Sequence, residues 1–202
     1  MKIKLALIFS IISWSAVILQ FFLMLQSSDH SFVETTVRFF SFFTILTNSL
    51  VAFYFSTQLF MANRFSFWNR PGVLTAITVY IIVVGVVYQI VLRPIWDPQG
   101  LAKVVDELLH SLNPLMVLFY WWLYEKKSKV TMSQVPYFLV YPFIYLVYIL
   151  IRGHYSGFYP YPFVNVSDLG CAKVAMNSFY LFLVFTTLST AFVFLGKRYS
   201  KI

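Results

Sequence analysis

The stretch VLTAITVYIIVVGVVYQIVL, Val73–Leu92, decides the fold. It runs for 20 residues without a charged side chain, and about 20 apolar residues in a helix span the hydrocarbon core of a bilayer. Turn formers and basic anchors bound it, Asn69-Arg70-Pro71-Gly72 before it and Arg93-Pro94 after it. Its apolarity is continuous rather than alternating, which argues for a helix and against a membrane β-barrel strand.

Outward from this segment the pattern recurs. Leu5–Leu25, Arg38–Met61, Val104–Leu123, Val135–Arg152 and Lys173–Gly196 are each of spanning length. The expected fold is therefore an all-α, polytopic bundle of six transmembrane helices. The connections are short and carry Pro94, Pro98, Gly100 and the stretch from Gly153 to Pro162, so residues 1–202 read as a single unit without repeats.

Composition agrees. With 60% hydrophobic and 11% charged residues, the chain carries more apolar surface than a soluble core of 202 residues can hide. The net charge of +8 does not point to nucleic acid, because the basic residues sit at the ends of apolar runs and form no stripe. Topology and anionic lipid headgroups account for them. Cys171, the only cysteine, permits neither an internal disulfide nor a thiolate cluster. Lys2 and Lys4 ahead of an apolar run resemble a signal peptide, but the run is too long and lacks a small-x-small cleavage site. It reads as an uncleaved first span.

Lys2, Lys4, Arg64, Arg70, Lys126, Lys127, Lys129, Lys197, Arg198 and Lys201 fall on one side of these spans. Arg38, Arg93, Lys103, Arg152 and Lys173 fall on the other. The richer side is expected in the cytoplasm, with both termini, in the cell membrane.

Polar groups inside spans are costly and so mark candidate function. Ser41, Thr44 and Asn48 share one face of span two, and Asp106, His110 and Asn113 share one face of span four. Pro114 follows directly. Span five carries Tyr141, Tyr145, Tyr148 and Arg152 as one stripe, leading to the aromatic loop His154–Phe163, which suits either capping a cavity or lying at the headgroups. Each has a plainer reading. Intramembrane hydroxyls usually bond a carbonyl one turn back, asparagines join helices, tyrosines pack, and arginines anchor at the interface. His110 is the only histidine within a span, and Asp106 stands at i−4 from it, a spacing that suits orienting an imidazole. Paired haem histidines and a His-Glu-x-x-His cluster are both absent.

The residues Arg38-Phe-Phe-Ser-Phe-Phe-Thr-Ile-Leu-Thr-Asn48, Asp106-Glu-Leu-Leu-His110 with Pro114, and Tyr159-Pro-Tyr-Pro-Phe163 carry a resemblance. The chain resembles a bacterial family of six-span proteins related to the androgen-induced and androgen-dependent (FAR-17a-like) intramembrane hydrolases of fatty-acid esters of hydroxy fatty acids. The resemblance implies a threonine nucleophile and a histidine. His110 matches the histidine, Thr44 matches the Phe-x-Thr pattern, and Ser41 matches the distance from the basic residue at the start of the span. It implies hydrolysis of a lipid or fatty-acyl ester. From their positions beside these residues, rather than from the resemblance, Asn48, Asp106, Asn113, Tyr145 and Arg152 are expected to support the site or bind substrate, and neither metal nor organic cofactor is expected. The alternative is a non-enzymatic bundle that binds or transports a lipid or sterol.

Overall fold

The computed structural model describes residues 1–60 and 67–199. Met61, Arg64 and Lys201, which entered the reading of span two and of the charge asymmetry, lie outside the described residues. The architecture is all-helical: α1 (Lys2–Ser27), α2 (Phe32–Phe39), α3 (Phe43–Phe60), α4 (Val73–Val87), α5 (Leu101–Glu107), α6 (Asn113–Tyr124), α7 (Val135–Phe138), α8 (Val140–Ser156) and α9 (Val166–Tyr199). Four helical runs are long and apolar enough to cross a bilayer: Lys2–Ser27, Val73–Ile95, Met132–Ser156 and Val166–Tyr199. A fifth joins them if α2 and α3, bent by 76° where they meet, count as one. The run Leu101–Tyr124, which holds Asp106, Glu107, His110 and Asn113, is not among them.

The stretch Val73–Leu92 proves to be the centre of the bundle. The span Val73–Ile95 is 61% buried by other helices, against 17–28% for the other three. It packs on α3, α6 and α9. The α1 helix lies along α3 through a stripe of mostly small residues, Ala6, Ser10, Ser13 and Ala16, all buried. Small side chains let helix backbones approach closely in a membrane, where dispersion and hydrogen bonds replace the hydrophobic drive. Ser10 and Trp14 both bond Ser56 across this seam, at 2.9 and 3.0 Å. The outward faces of α8 and α9, with Phe143, Ile144, Ile151, Phe179, Phe182 and Leu183 exposed, present apolar surface suited to lipid.

Two π-helical turns, Tyr88–Leu92 after α4 and Leu108–Leu112 between α5 and α6, have one cause. Each is followed by a residue and then a proline, Arg93-Pro94 and Asn113-Pro114. Proline donates no N–H and its ring crowds the carbonyl four residues back. The chain responds by widening one turn, so that Arg93 N–H bonds Tyr88 O and Asn113 N–H bonds Leu108 O, each five residues back.

At the lysine-rich end, Glu125 acts as a cap borrowed from another helix. Its Oε2 accepts both the Thr75 backbone N–H and the Thr75 hydroxyl, at 2.9 Å each, at the start of α4. Lys127 lies against Gly196 and over the rings of Trp121 and Trp122, and burial there lowers its ammonium below the ordinary value. Glu125→Ala is expected to cost about 2–3 kcal/mol by stranding two donors, read as a lower thermal unfolding midpoint in detergent. An unchanged midpoint refutes the borrowed cap.

Candidate functional site

Span two is not the continuous helix expected for Arg38–Met61. The helix stops at Phe39, Ser41 and Phe42 close tight turns onto Arg38 O and Phe39 O, and α3 starts afresh at Phe43. Neither glycine nor proline lies between Arg38 and Phe43, so nothing local predicts the break. Tertiary contacts hold it. Tyr161 accepts the Thr44 N–H at 3.1 Å, and Tyr145 donates to Ser41 O at 2.9 Å. A helix N-terminus, whose first N–H groups have no partner within their own helix and whose dipole end is positive, therefore lies inside the bundle.

Ser41, Thr44 and Thr47 each meet a tyrosine. Ser41 Oγ lies 3.4 Å from Tyr148 Oη, Thr44 Oγ1 lies 3.2 Å from Tyr161 Oη, and Thr47 Oγ1 lies 3.1 Å from Tyr141 Oη. The stripe on α8 thus faces the hydroxyls of span two rather than lipid. The two candidate nucleophiles differ. Ser41 donates to Val37 O at 2.7 Å, the ordinary state of an intramembrane hydroxyl, as do Ser56, Thr78 and Ser178 toward their own helices. Thr44 instead pairs with Tyr161 and lines a cavity.

That cavity has a volume of about 110 Å³. Thr44, Tyr145, Tyr161 and Ser178 bring hydroxyl-bearing side chains to a wall otherwise made of groups such as Val83, Val87, Leu146 and Phe185. The aromatic loop contributes Tyr161 and Phe163 to the wall, and Val164 follows them, the capping role rather than a purely headgroup one, with the Tyr161 and Phe163 rings stacked at 5.1 Å. The loop is seated on Gly153: a Cβ there would come within 2.1 Å of the Tyr159 ring. Gly153→Val should dislodge Tyr159 at about 1–3 kcal/mol, seen as reduced thermal stability; equal stability removes this role for the glycine.

The polar faces of spans two and four meet through their asparagines. Asn113 Nδ2 donates to Asn48 Oδ1 at 2.6 Å, and Ser13 Oγ donates to Asn113 Oδ1 at 3.2 Å. Asn48 Nδ2 donates to Thr44 O at 2.9 Å and to Leu109 O at 3.2 Å. The Leu109 carbonyl is open for a structural reason. Its partner four residues on, Asn113 N–H, is diverted by the π turn, and Pro114 offers none five residues on.

His110 and Asp106 turn elsewhere. His110 Nδ1 lies 2.9 Å from Asp106 O and 3.2 Å from Asp106 Oδ1, and Tyr88 Oη donates to Asp106 Oδ2. The imidazole stacks on the Tyr88 ring, centroids 4.0 Å apart. Asp106 is thus in contact with the imidazole through both its backbone and its carboxylate oxygens. Among the described residues no hydrogen bond joins His110 to Thr44 or Ser41; Asn48 bridges Thr44 O and the carbonyl of Leu109, the residue before His110. Tyr88 and Tyr161 are the site residues that sequence reasoning missed. Tyr88 with Gln89 interrupts an aliphatic run, which was the available signal.

Arg152 lies at the far end of the α8 stripe, bonded to Phe158 O and Ser156 Oγ at 3.3 Å and 3.5 Å from Glu34 Oε1. The Glu34 carboxyl, bonded by Arg38, is held below its ordinary range. Among the described residues no group of three or more metal-ligating side chains converges. No family model matches the chain, and no curated protein or solved structure matches it either.

Proposed function

We propose that this chain is an intramembrane lipid-ester hydrolase, with Thr44 as nucleophile and the adjoining cavity as its acyl pocket. The observation that carries this reading is the position of Thr44. Its hydroxyl is bonded to a phenol, stands at a helix N-terminus inside the bundle, and lines an apolar cavity. Apolar walls suit an acyl chain, and N–H groups at a helix start suit the oxyanion formed when a hydroxyl attacks an ester carbonyl. In the reaction the Thr44 oxygen bonds to the acyl carbon, its proton passes to the base, and the alcohol leaves with a proton returned. Water then releases the acid. His110, oriented by Asp106, is the proposed base. Catalytic hydrogen bonds are often long before substrate binds and tighten in the complex, and this reading requires the imidazole to come within reach of Thr44 in that complex.

The missing hydrogen bond between His110 and Thr44 favours a second reading, a lipid- or sterol-binding bundle in which the hydroxyls orient a headgroup. For either, we place six spans in the cell membrane with both termini cytoplasmic. In support, Glu125, Lys126, Lys127 and Lys129 share one end of the bundle with Lys2, Thr75 and Gly196, and Leu101–Tyr124 counts as a span despite its polar residues.

A fluorophosphonate probe applied to the protein in nanodiscs separates the readings. Covalent labelling on the peptide containing Thr44, lost in His110→Ala, supports the hydrolase. No labelling, with saturable lipid binding that survives His110→Ala, supports the binder.

A further inference from the structure

The α8 stripe does not end at the cavity. Tyr145 lines it, Tyr148 meets Ser41 one turn on, and Arg152 follows, about 10 Å from Tyr145 along the helix. There the charges do not balance. The Arg152 side chain is 9% exposed, and its Nε is buried without a hydrogen-bond partner among the described residues. Its remaining contacts are long, 3.3 Å to Ser156 and Phe158 and 3.5 Å to Glu34. The same Glu34 oxygen accepts Arg38 Nε at 2.6 Å, so one carboxylate oxygen serves two guanidiniums. Both cations lie over the Phe158 ring, at 4.5 and 4.8 Å. Among the described residues the other titratable group that faces Glu34 is His30, which brings no negative charge.

A guanidinium offers five donors in a fork that matches carboxylate and phosphate. Burying one with an unused N–H and a shared counter-ion is costly unless a further acceptor arrives. We infer that Arg38 and Arg152 form a subsite for the oxyanion head of an acyl amphiphile, a fatty carboxylate or a phosphate-headed lipid, whose tail runs down the tyrosine stripe into the cavity. This rests on the acyl occupancy proposed above, though not on hydrolysis. The Phe158 ring lies beneath both guanidiniums, and the Tyr148 hydroxyl, 3.4 Å from Ser41 Oγ, stands along the path between them and the cavity.

The test compares oleate with oleyl alcohol, which share a tail and differ in the charged head, binding to the detergent-solubilised protein. The wild type should bind oleate more tightly. Arg152→Gln should weaken oleate about 10- to 100-fold and leave oleyl alcohol unchanged, while Arg152→Lys, which keeps the charge, retains part of the preference. Equal binding of the two amphiphiles by the wild type, or an equal loss for both in Arg152→Gln, overturns the subsite and leaves the acyl cavity standing. Binding of neither removes both. Displacement of oleate by phosphatidylglycerol but not by inorganic phosphate assigns the head to membrane lipid, and displacement by neither assigns it to a fatty carboxylate. Displacement by inorganic phosphate alone overturns the amphiphile.

Discussion

Thr44→Val is expected to abolish covalent labelling and ester turnover, a loss on the order of 10⁴-fold or more, while leaving the protein folded. Removing a nucleophile leaves only background catalysis from binding and oxyanion donors. Valine keeps the branched shape of threonine, so the cavity wall is retained and only the hydroxyl that meets Tyr161 at 3.2 Å is lost. Thr44→Ser restores a hydroxyl and should recover measurable turnover. Ser41→Ala should have little effect on turnover, because the Ser41 hydroxyl is already committed to Val37 O. Tyr161→Phe is more informative. It strips the acceptor from the Thr44 N–H and the partner from the Thr44 hydroxyl together, so turnover should fall about 10- to 1000-fold as the oxyanion geometry loosens. Turnover of a lipid ester by Thr44→Val at the wild-type rate would end the nucleophile assignment. Labelling lost in Ser41→Ala instead would move the nucleophile one turn earlier.

The second large effect concerns the asparagines between helices. Asn48→Leu strands Asn113 Nδ2 and leaves the Leu109 carbonyl without its donor, while Thr44 O loses only a second, side-chain donor. Asn113→Leu strands Asn48 Oδ1 and the Ser13 hydroxyl. Each single change should cost about 2 kcal/mol, the price of a buried polar group left unpaired. Combined, they should cost less than the two single changes added, by about 1 kcal/mol, since interhelical hydrogen bonds in membranes are individually modest. Unfolding in detergent of the two single variants and the double variant gives this coupling. Strict additivity would mean that Asn48 and Asn113 do not depend on each other, and the proposed seam of α1, α3 and α6 would lose its polar tie.

The broad architecture was legible because bilayer solvation acts on composition. Apolar runs of fixed length and basic residues at their ends need no knowledge of neighbours, and the all-helical fold with its spanning-length helices follows from them. Helical periodicity also placed Ser41, Thr44 and Asn48 on one face, and Asp106, His110 and Asn113 on another. The Ser31 cap that receives Glu34 N–H at the start of α2, and the two X–Pro pairs behind the π turns, were written locally as well.

Which neighbour each polar face meets was not written locally. Periodicity fixes the angle between residues on one helix, but the rotation of that helix against the others is set by packing around Val73–Leu92. That rotation turned His110 onto Tyr88 and Thr44 onto Tyr161, and left the asparagines to join the two faces. The break before Phe43 is the clearest case. A run of aromatics without glycine or proline ends one helix and starts another because hydroxyls from Tyr145 and Tyr161, more than a hundred residues away, accept or supply the hydrogen bonds that the interrupted helix gives up.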